Sequence, residues 1–531
     1  MNRHQPLSGL SGRVSLRLKN QRFEKSRGNF CRTLLLLATL AAGFSASALA
    51  AEPTRPNIIL ILADDQGYGD ASCYNDQSKV QTPNIDQIAK EGIRFTDGHS
   101  AASVCTPSRY ATLTGRHAWR GRLKLGVLQQ YEPALIEADR LTWPAMLCNQ
   151  GYATAAFGKW HLGWTWASKD GHPKADGPGW KEHVDFTKPI SNGPTTRGFG
   201  YFFGMVGATP LDDALIENDR PIFWEGKEKM PAIAGVPAAM LNPWHNYNSL
   251  PMLTEKVDWY IRQHHKEHPQ QPMFIYFALT APHMPIIPTP EFVGKTKGGI
   301  VCDYVAQLDS TVGRVLKALQ ETGQADNTLV IFSSDNGSPC YADPNSKTYS
   351  IQERYGHDPS RPWRGMKGDI WEAGHRIPFV ARWPKHIPAG TVSKETVSLV
   401  DLFATSAAIT GAMLPPNAAE DSYNILPALL DQPRQKPIRE ATIHHALIGT
   451  FAIRQGDWKL CTSLGSGGFS SPQVVLKPNP GEPTGGQLYN LADDPGEKNN
   501  LYDKHPEIVA RLSTLLKKYQ DEARSAPHQS W

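Results

Sequence analysis

The sequence predicts an α/β fold: a large mixed, mostly parallel sheet sandwiched by helices over residues 51–414, followed by a smaller α+β domain over 415–531. Three observations predict it. Short continuous apolar runs, the pattern of strands buried on both faces, recur between Asn57 and Trp383. Between them lie stretches with apolar residues at helical spacing, and such alternation implies a sheet flanked by helices. After Pro415-Pro416, which reads as a linker, the chain turns to short strands, a Gly/Pro-rich loop and a closing amphipathic helix.

Taken in order, residues 1–50 come first as a separate segment. They hold eight Lys and Arg against one acid, Glu24, then the uncharged run Leu34 to Ala42 and Ala48-Leu49-Ala50, a small-x-small cleavage pattern. This reads as an export signal, either cleaved or kept as an anchor, and places the protein in a periplasm or outside the cell. Without it the formal net charge of +4 becomes −3, and no nucleic-acid partner is expected. No later segment has the ~20 uninterrupted apolar residues that span a bilayer.

Asn57 to Ala63 is the first expected strand, ending in Asp64-Asp65-Gln66-Gly67. Tyr152 to Phe157, Met273 to Leu279, Thr328 to Ser333 and Ile377 to Trp383 follow. The clearest helix is Asp303 to Thr322, with Val305, Leu308, Val312, Val315, Leu316 and Leu319 on one face. Val400 to Gly411 reads as a helix, Phe451 to Cys461 and Gln487 to Leu491 as strands, and Pro506 to Tyr519 as the last helix. No repeat or low-complexity tract interrupts this order.

Two acidic strand ends stand out. The first strand delivers Asp64 and Asp65 and the fourth delivers Asp335-Asn336-Gly337, at the end of an open α/β sheet where ligands collect. Adjacent carboxylates beside a third repel one another unless a cation neutralises them. Oxygen ligands suit a hard ion, Ca²⁺ first and Mg²⁺ second. Taken singly, both runs are also ordinary turns.

Cys105 lies in Cys105-Thr106-Pro107-Ser108-Arg109, where Thr106 suits a helix N-cap and Pro107 the first turn. A helix start attracts anions and lowers a thiol pKa, and Arg109 one turn on can grip sulfate or phosphate oxygens. The mature part also holds Cys73, Cys148, Cys302, Cys340 and Cys461, with no C-x-x-C pair, so a zinc ribbon is not expected. A capped helix beside a buried structural cysteine is the plainer reading. Against it stand Lys159 and His161 (G-K-W-H-L-G), His283 (A-P-H-M-P) and Lys367 (R-G-M-K-G), each beside an expected strand end.

These motifs, with L-T-G-R at Leu113 to Arg116 and E-A-G-H-R-I-P, resemble the type I formylglycine-dependent sulfatases of the alkaline-phosphatase-like superfamily. The likeness runs from about Pro56 to Gly411, with an echo in Gln487 to Leu501. It implies that a maturation enzyme oxidises Cys105 to Cα-formylglycine. It also implies that Asp64, Asp65, Asp335 and Asn336 hold Ca²⁺ together with the hydrate at residue 105. One hydroxyl of the hydrate would attack sulfur while Arg109, Lys159 and Lys367 neutralise the sulfuryl oxygens. His283, helped by Lys367, would protonate the leaving alcohol, and His161 would take a proton from the second hydroxyl as sulfate is expelled.

The expected substrate is a sulfate ester on a carbohydrate or glycosaminoglycan-type glycan. A phosphomonoester or phosphonate-ester hydrolase and a non-catalytic glycan-binding protein are the alternatives. Trp160, Trp164, Trp166, Trp180, His172, Lys174 and His183 could face a sugar or fill a core. Asp212, Asp213, Asn218 and Asp219 form an acidic loop without a clear role. His264-His265 reads as a solvated helix face rather than a zinc site.

Overall fold

The computed structural model describes residues 55–171, 180–207, 214–224, 227, 229–237, 240, 248–340, 350–474 and 485–528. The expected leader, 1–50, lies outside them, as do His172, Lys174, Asp212, Asp213 and the side chain of Trp180. Pro53–Trp531 forms one compact unit. Its strands are β1 (Asn57–Asp64), β2 (Ile93–Phe95), β3 (Gly98–His99), β4 (Ala153–Lys159), β5 (Tyr201–Met205), β6 (Ala214–Glu217), β7 (Arg220–Trp224), β8 (Met273–Pro282), β9 (Thr328–Ser334), β10 (Phe379–Arg382), β11 (Thr391–Ser393), β12 (Val397–Ser398), β13 (Thr442–His445), β14 (Phe451–Gln455), β15 (Trp458–Cys461) and β16 (Gln487–Asn490).

A ten-stranded sheet runs β11-β2-β10-β9-β1-β8-β4-β5-β6-β7. Its middle is parallel: Ile59 faces Ile275 of β8 and Val330 of β9, and Phe157 of β4 faces Phe277 of β8. β10 and β6 run antiparallel to their neighbours, so the sheet is mixed but mostly parallel at its centre. The five apolar runs expected as strands are β1, β4, β8, β9 and β10, each displaced by a few residues at most. The three-residue strands β2 and β11, in the outer part of the sheet, carry too few apolar residues to declare themselves in a sequence.

Alternate residues of β1 feed two cores. Ile58, Leu60 and Leu62 pack with Tyr110 and Leu113 of the helix Cys105–Thr114, and with Phe274 and Tyr276. Ile59, Ile61 and Ala63 pack with Leu253, Val257 and Ile261 of the helix Ser249–Glu267. That second core also takes Leu308, Val312, Val315, Leu316 and Leu319 of the helix Gly299–Glu321. Helices therefore cover both faces, which is why β1 is apolar without alternation and fully buried. Among the described residues no helix is long and apolar enough to cross a membrane.

C-terminal to this, β13-β14-β15-β16 form an antiparallel sheet, whose Ile443, Ile453, Leu460 and Leu488 pack on Leu512, Leu516 and Tyr519 of the helix Pro506–Asp521. Buried ion pairs tie it to the loops of the large sheet. Lys459 of β15 reaches Glu372 Oε1 at 3.0 Å and Glu497 Oε1 at 2.8 Å, while Arg454 of β14 and Arg376 both reach Asp97 Oδ1 at 2.7 Å.

Candidate active site

β1, β9, β8 and β4 are neighbours at the sheet centre and point the same way, so their C-terminal ends present side chains to one place. β1 ends in Asp64 and Asp65, β9 leads into Asp335 and Asn336, β4 ends in Lys159 with His161 just beyond, and His283 follows β8. Asp65 adopts a left-handed φ of 72°, and its amide donates to Asp335 Oδ1 at 3.2 Å. Ser334 Oγ supports the turn, accepting from the Gln66 amide (3.0 Å) and donating to the Asn336 carbonyl (2.9 Å).

The helix that carries the cysteine begins earlier than expected. It spans Cys105–Thr114, with extended Val104 at its cap, so Cys105 is itself the first helical residue and Thr106 is not a cap. Thr106 Oγ1 instead accepts from the Leu128 amide at 3.1 Å. Cys105 is almost fully buried, and its sulfur and a carboxylate oxygen from each of Asp64 and Asp335 lie within 4.8 Å of one another. Burial pushes the thiol pKa up despite Lys159 and Lys367 nearby. The lowered thiol pKa expected from the helix start is therefore not found, because desolvation outweighs both the helix end and the lysines. All six described cysteines are free.

Every carboxylate of the cluster has a side-chain cation. Lys159 Nζ is 2.7 Å from Asp64 Oδ2, Lys367 Nζ is 2.6 Å from Asp65 Oδ1, and Arg109 Nη2 is 2.6 Å from Asp335 Oδ2, with Nε donating to the same oxygen at 2.8 Å. Arg109 Nη1 also donates to the Lys159 carbonyl at 3.0 Å. The mutual repulsion predicted for these acids is thus already offset by protein charges. Burial pushes the Asp64 carboxyl up, but Lys159, His283 and Arg109 together hold it below its usual range; Asp65 is also held low, chiefly by Lys367 and His283 against burial. Asp335 moves the other way, since burial, aided by the Asp64 charge, outweighs Arg109.

Whether the residues suit a metal is tested by their spare oxygens. Asp64 Oδ1 and Asn336 Oδ1 are buried without a hydrogen-bond donor, a costly state unless another positive partner is supplied. Asn336 Nδ2 donates to Asp65 Oδ1 at 2.7 Å, which orients its amide oxygen. Oxygen donors from Asp64, Asp65, Asp335 and Asn336 fit a hard divalent cation.

The two histidines differ. His161 Nε2 donates to the Leu128 carbonyl at 3.0 Å, and burial with the Lys159 charge holds its pKa well below the ordinary value, so it is neutral. His283 Nδ1 donates to the Met284 carbonyl at 2.6 Å, leaving Nε2 3.7 Å from Asp65 Oδ2 and facing the cluster. Burial and Lys159 lower its pKa too.

Of the other residues singled out in the sequence, most take structural or surface places, and one expectation, a solvated His264, fails. Trp160, Trp164 and Trp166 lie in the core against Phe202, Phe199 and Phe186 rather than facing a ligand. His183 is half-buried and pairs with Asp170 at 2.7 Å. Asn218, at a left-handed φ of 58°, turns β6 into β7 and accepts from the Phe202 amide, a structural task, and Asp219 is half-buried in the same turn. His264 is buried and stacked on Tyr260, not solvated, because the helix Ser249–Glu267 turns it toward the sheet. The contacts of Thr106 and of the Leu128 carbonyl had no sequence signal, since both rest on a backbone group brought near only by folding.

Comparison with known proteins agrees with this geometry. Residues 56–412 match the Sulfatase family. An N-acetylgalactosamine-6-O-sulfatase of Bacteroides thetaiotaomicron is 32% identical over 500 residues, covering 87% of this chain and 92% of its own length. Arylsulfatase A of Homo sapiens is 33% identical over 497 residues, covering 90% and 89%. A solved Bacteroides thetaiotaomicron structure, described under the metabolism of multiple glycosaminoglycans, superposes with a TM-score of 0.74 at 31% identity and covers 88% of this chain and 100% of its own. From fold, strand-end cluster and these matches together, the chain belongs to the sulfatase family and is a sulfuric ester hydrolase.

Proposed function

We propose that this sulfatase is exported and removes sulfate from a carbohydrate of the glycosaminoglycan type, after a maturation enzyme has converted Cys105 to Cα-formylglycine. Sulfatases of this family generally work with a formylglycine and a divalent metal, and Ca²⁺ is the ion assigned here. The observation that carries the reading is the meeting of Asp64, Asp65, Asp335 and Asn336 around a buried, unactivated Cys105 flanked by Lys159 and Lys367. A thiol whose pKa is raised is a poor nucleophile as it stands, which favours chemistry by its oxidised form. The glycan assignment is supported by the N-acetylgalactosamine-6-O-sulfatase relative and by the solved neighbour. Residues 51–414 form the catalytic domain in this reading and 415–531 a C-terminal subdomain.

Hydrated formylglycine at residue 105 would supply the oxygen nucleophile, and Asp64, Asp65, Asp335 and Asn336 would hold a Ca²⁺ that supplies positive charge to the site. Arg109, Lys159 and Lys367 counter the charge that grows on the sulfuryl oxygens, in a buried setting where each is worth more than in water. His283, at the least buried edge of the cluster, protonates the departing alcohol with help from Lys367; the ester's own negative charge raises its proton affinity when substrate is bound. His161, neutral, accepts a proton from the second hydroxyl of residue 105.

The test is chemical. The peptide containing residue 105, isolated from active protein, should carry an aldehyde, and Cys105→Ala should lower turnover by about 10³-fold or more. A chelator should abolish activity and Ca²⁺, not Zn²⁺, restore it. A free thiol in fully active enzyme, or preference for an aryl phosphate over the matched aryl sulfate, would refute the reading.

A further inference from the structure

We infer that Thr106, the residue after the nucleophile position, is a positioning residue that sets the tautomer of His161 through the backbone of Leu128. The inference rests on the reading of His161 as a proton acceptor. Two hydrogen bonds in series carry it. The Leu128 amide donates to Thr106 Oγ1 at 3.1 Å, and the Leu128 carbonyl accepts from His161 Nε2 at 3.0 Å. A carbonyl oxygen can only accept, so the proton of the neutral imidazole sits on Nε2. The lone pair is then on Nδ1, which is buried and has no hydrogen-bond partner. In a buried site an unpaired basic nitrogen is costly, and a reaction that delivers a proton there relieves it.

The rest of the surroundings is built to hold this arrangement. The His161 backbone is in the left-handed region, φ 53°, where its amide donates to the Val206 carbonyl at 3.1 Å and the preceding Trp160 amide to the Met205 carbonyl at 2.8 Å. Such a conformation persists only where neighbours over-determine it. Leu128 is 2% exposed, and the Gly126 amide donates to the Leu447 carbonyl at 2.7 Å, so the loop bearing the acceptor is buried and anchored just before it. Thr106 is fully buried on the helix that starts with Cys105. One hydroxyl therefore ties the helix bearing the nucleophile position to the loop that orients the base. Without it, the Leu128 amide loses its partner, the carbonyl is free to turn, and the Nε2–H tautomer loses its advantage.

The first measurement needs no turnover: ¹⁵N-histidine spectra of the unconverted chain carrying Cys105, with the His161 signals assigned from His161→Asn. The native chain should show one tautomer protonated at Nε2. Thr106→Val should mix the tautomers and Thr106→Ser should not. The second uses converted enzyme, normalised to its formylglycine content. Thr106→Val should lower kcat about five- to tenfold at unchanged KM, Thr106→Ser should stay near the native value, and Thr106→Val should cost nothing further in a His161→Ala background. A His161 tautomer unchanged in Thr106→Val, or a Thr106→Val penalty equal in both backgrounds, overturns the inference. A native kcat in His161→Ala overturns the proton-acceptor reading instead, while the spectra still decide whether Thr106 sets the tautomer.

Discussion

Arg109 shows how much of the site rests on single side chains. It is fully buried, with two nitrogens on Asp335 Oδ2 and a third on the Lys159 carbonyl. Removing it strands the Asp335 carboxylate in a dry interior, and breaking a buried pair costs about 3–5 kcal/mol. Arg109→Ala should therefore unfold at clearly lower denaturant than the native chain, in addition to losing activity. Lys367→Ala, at the more open edge of the cluster, should lose activity with a smaller stability loss. Equal stability of Arg109→Ala and native protein in equilibrium unfolding would contradict this account. Both residues were identifiable from C-T-P-S-R and R-G-M-K-G; their pairing with the acids was not, because it joins residues 226 and 302 positions apart.

At the scale of elements, the site depends on strands ending at the right level. Gly158 precedes Lys159 at the end of β4, with φ 92° and a position where a Cβ would lie 1.8 Å from the Ala278 carbonyl oxygen of β8. Gly158→Ala is then strained in its backbone and pushed off its neighbour, at a cost of about 3 kcal/mol or more. Since Lys159 is the next residue, turnover of the still-folded variant should fall by about 10²-fold if Lys159 acts as proposed, the order expected for a catalytic group misplaced by an ångström. Native kcat in Gly158→Ala at a temperature where it is folded would show that β4 does not set the lysine. The apolar run of β4 was legible as a strand. Its contact with β8 was not, because which strands become neighbours is decided by packing of the whole sheet.

At the scale of the molecule, buried histidines make stability sensitive to acid. Burial holds His117 and His445 at about 4 each, the latter at the end of β13. Both stay neutral in the fold while an unfolded chain protonates them below about 6.5, so the unfolded state binds more protons between those values and stability falls as pH falls. From pH 6.5 to 5 each should remove about 2 kcal/mol, and the Tm should drop across that range; a flat Tm would count against it. By itself the sequence determined the five central strands, the helices near 303–322, 400–411 and 506–519, the C-terminal change of character and the polar residues that sit at the central strand ends, because apolar periodicity and short motifs are local properties. Tertiary structure alone decided that Cys105 opens its helix, that burial raises its thiol pKa, that three cations already answer the three carboxylates, that the tryptophans after Lys159 serve the core, and that Thr106 speaks to His161 through Leu128. Each of these depends on desolvation or on groups distant in the chain, and neither is encoded in the spacing of neighbouring residues.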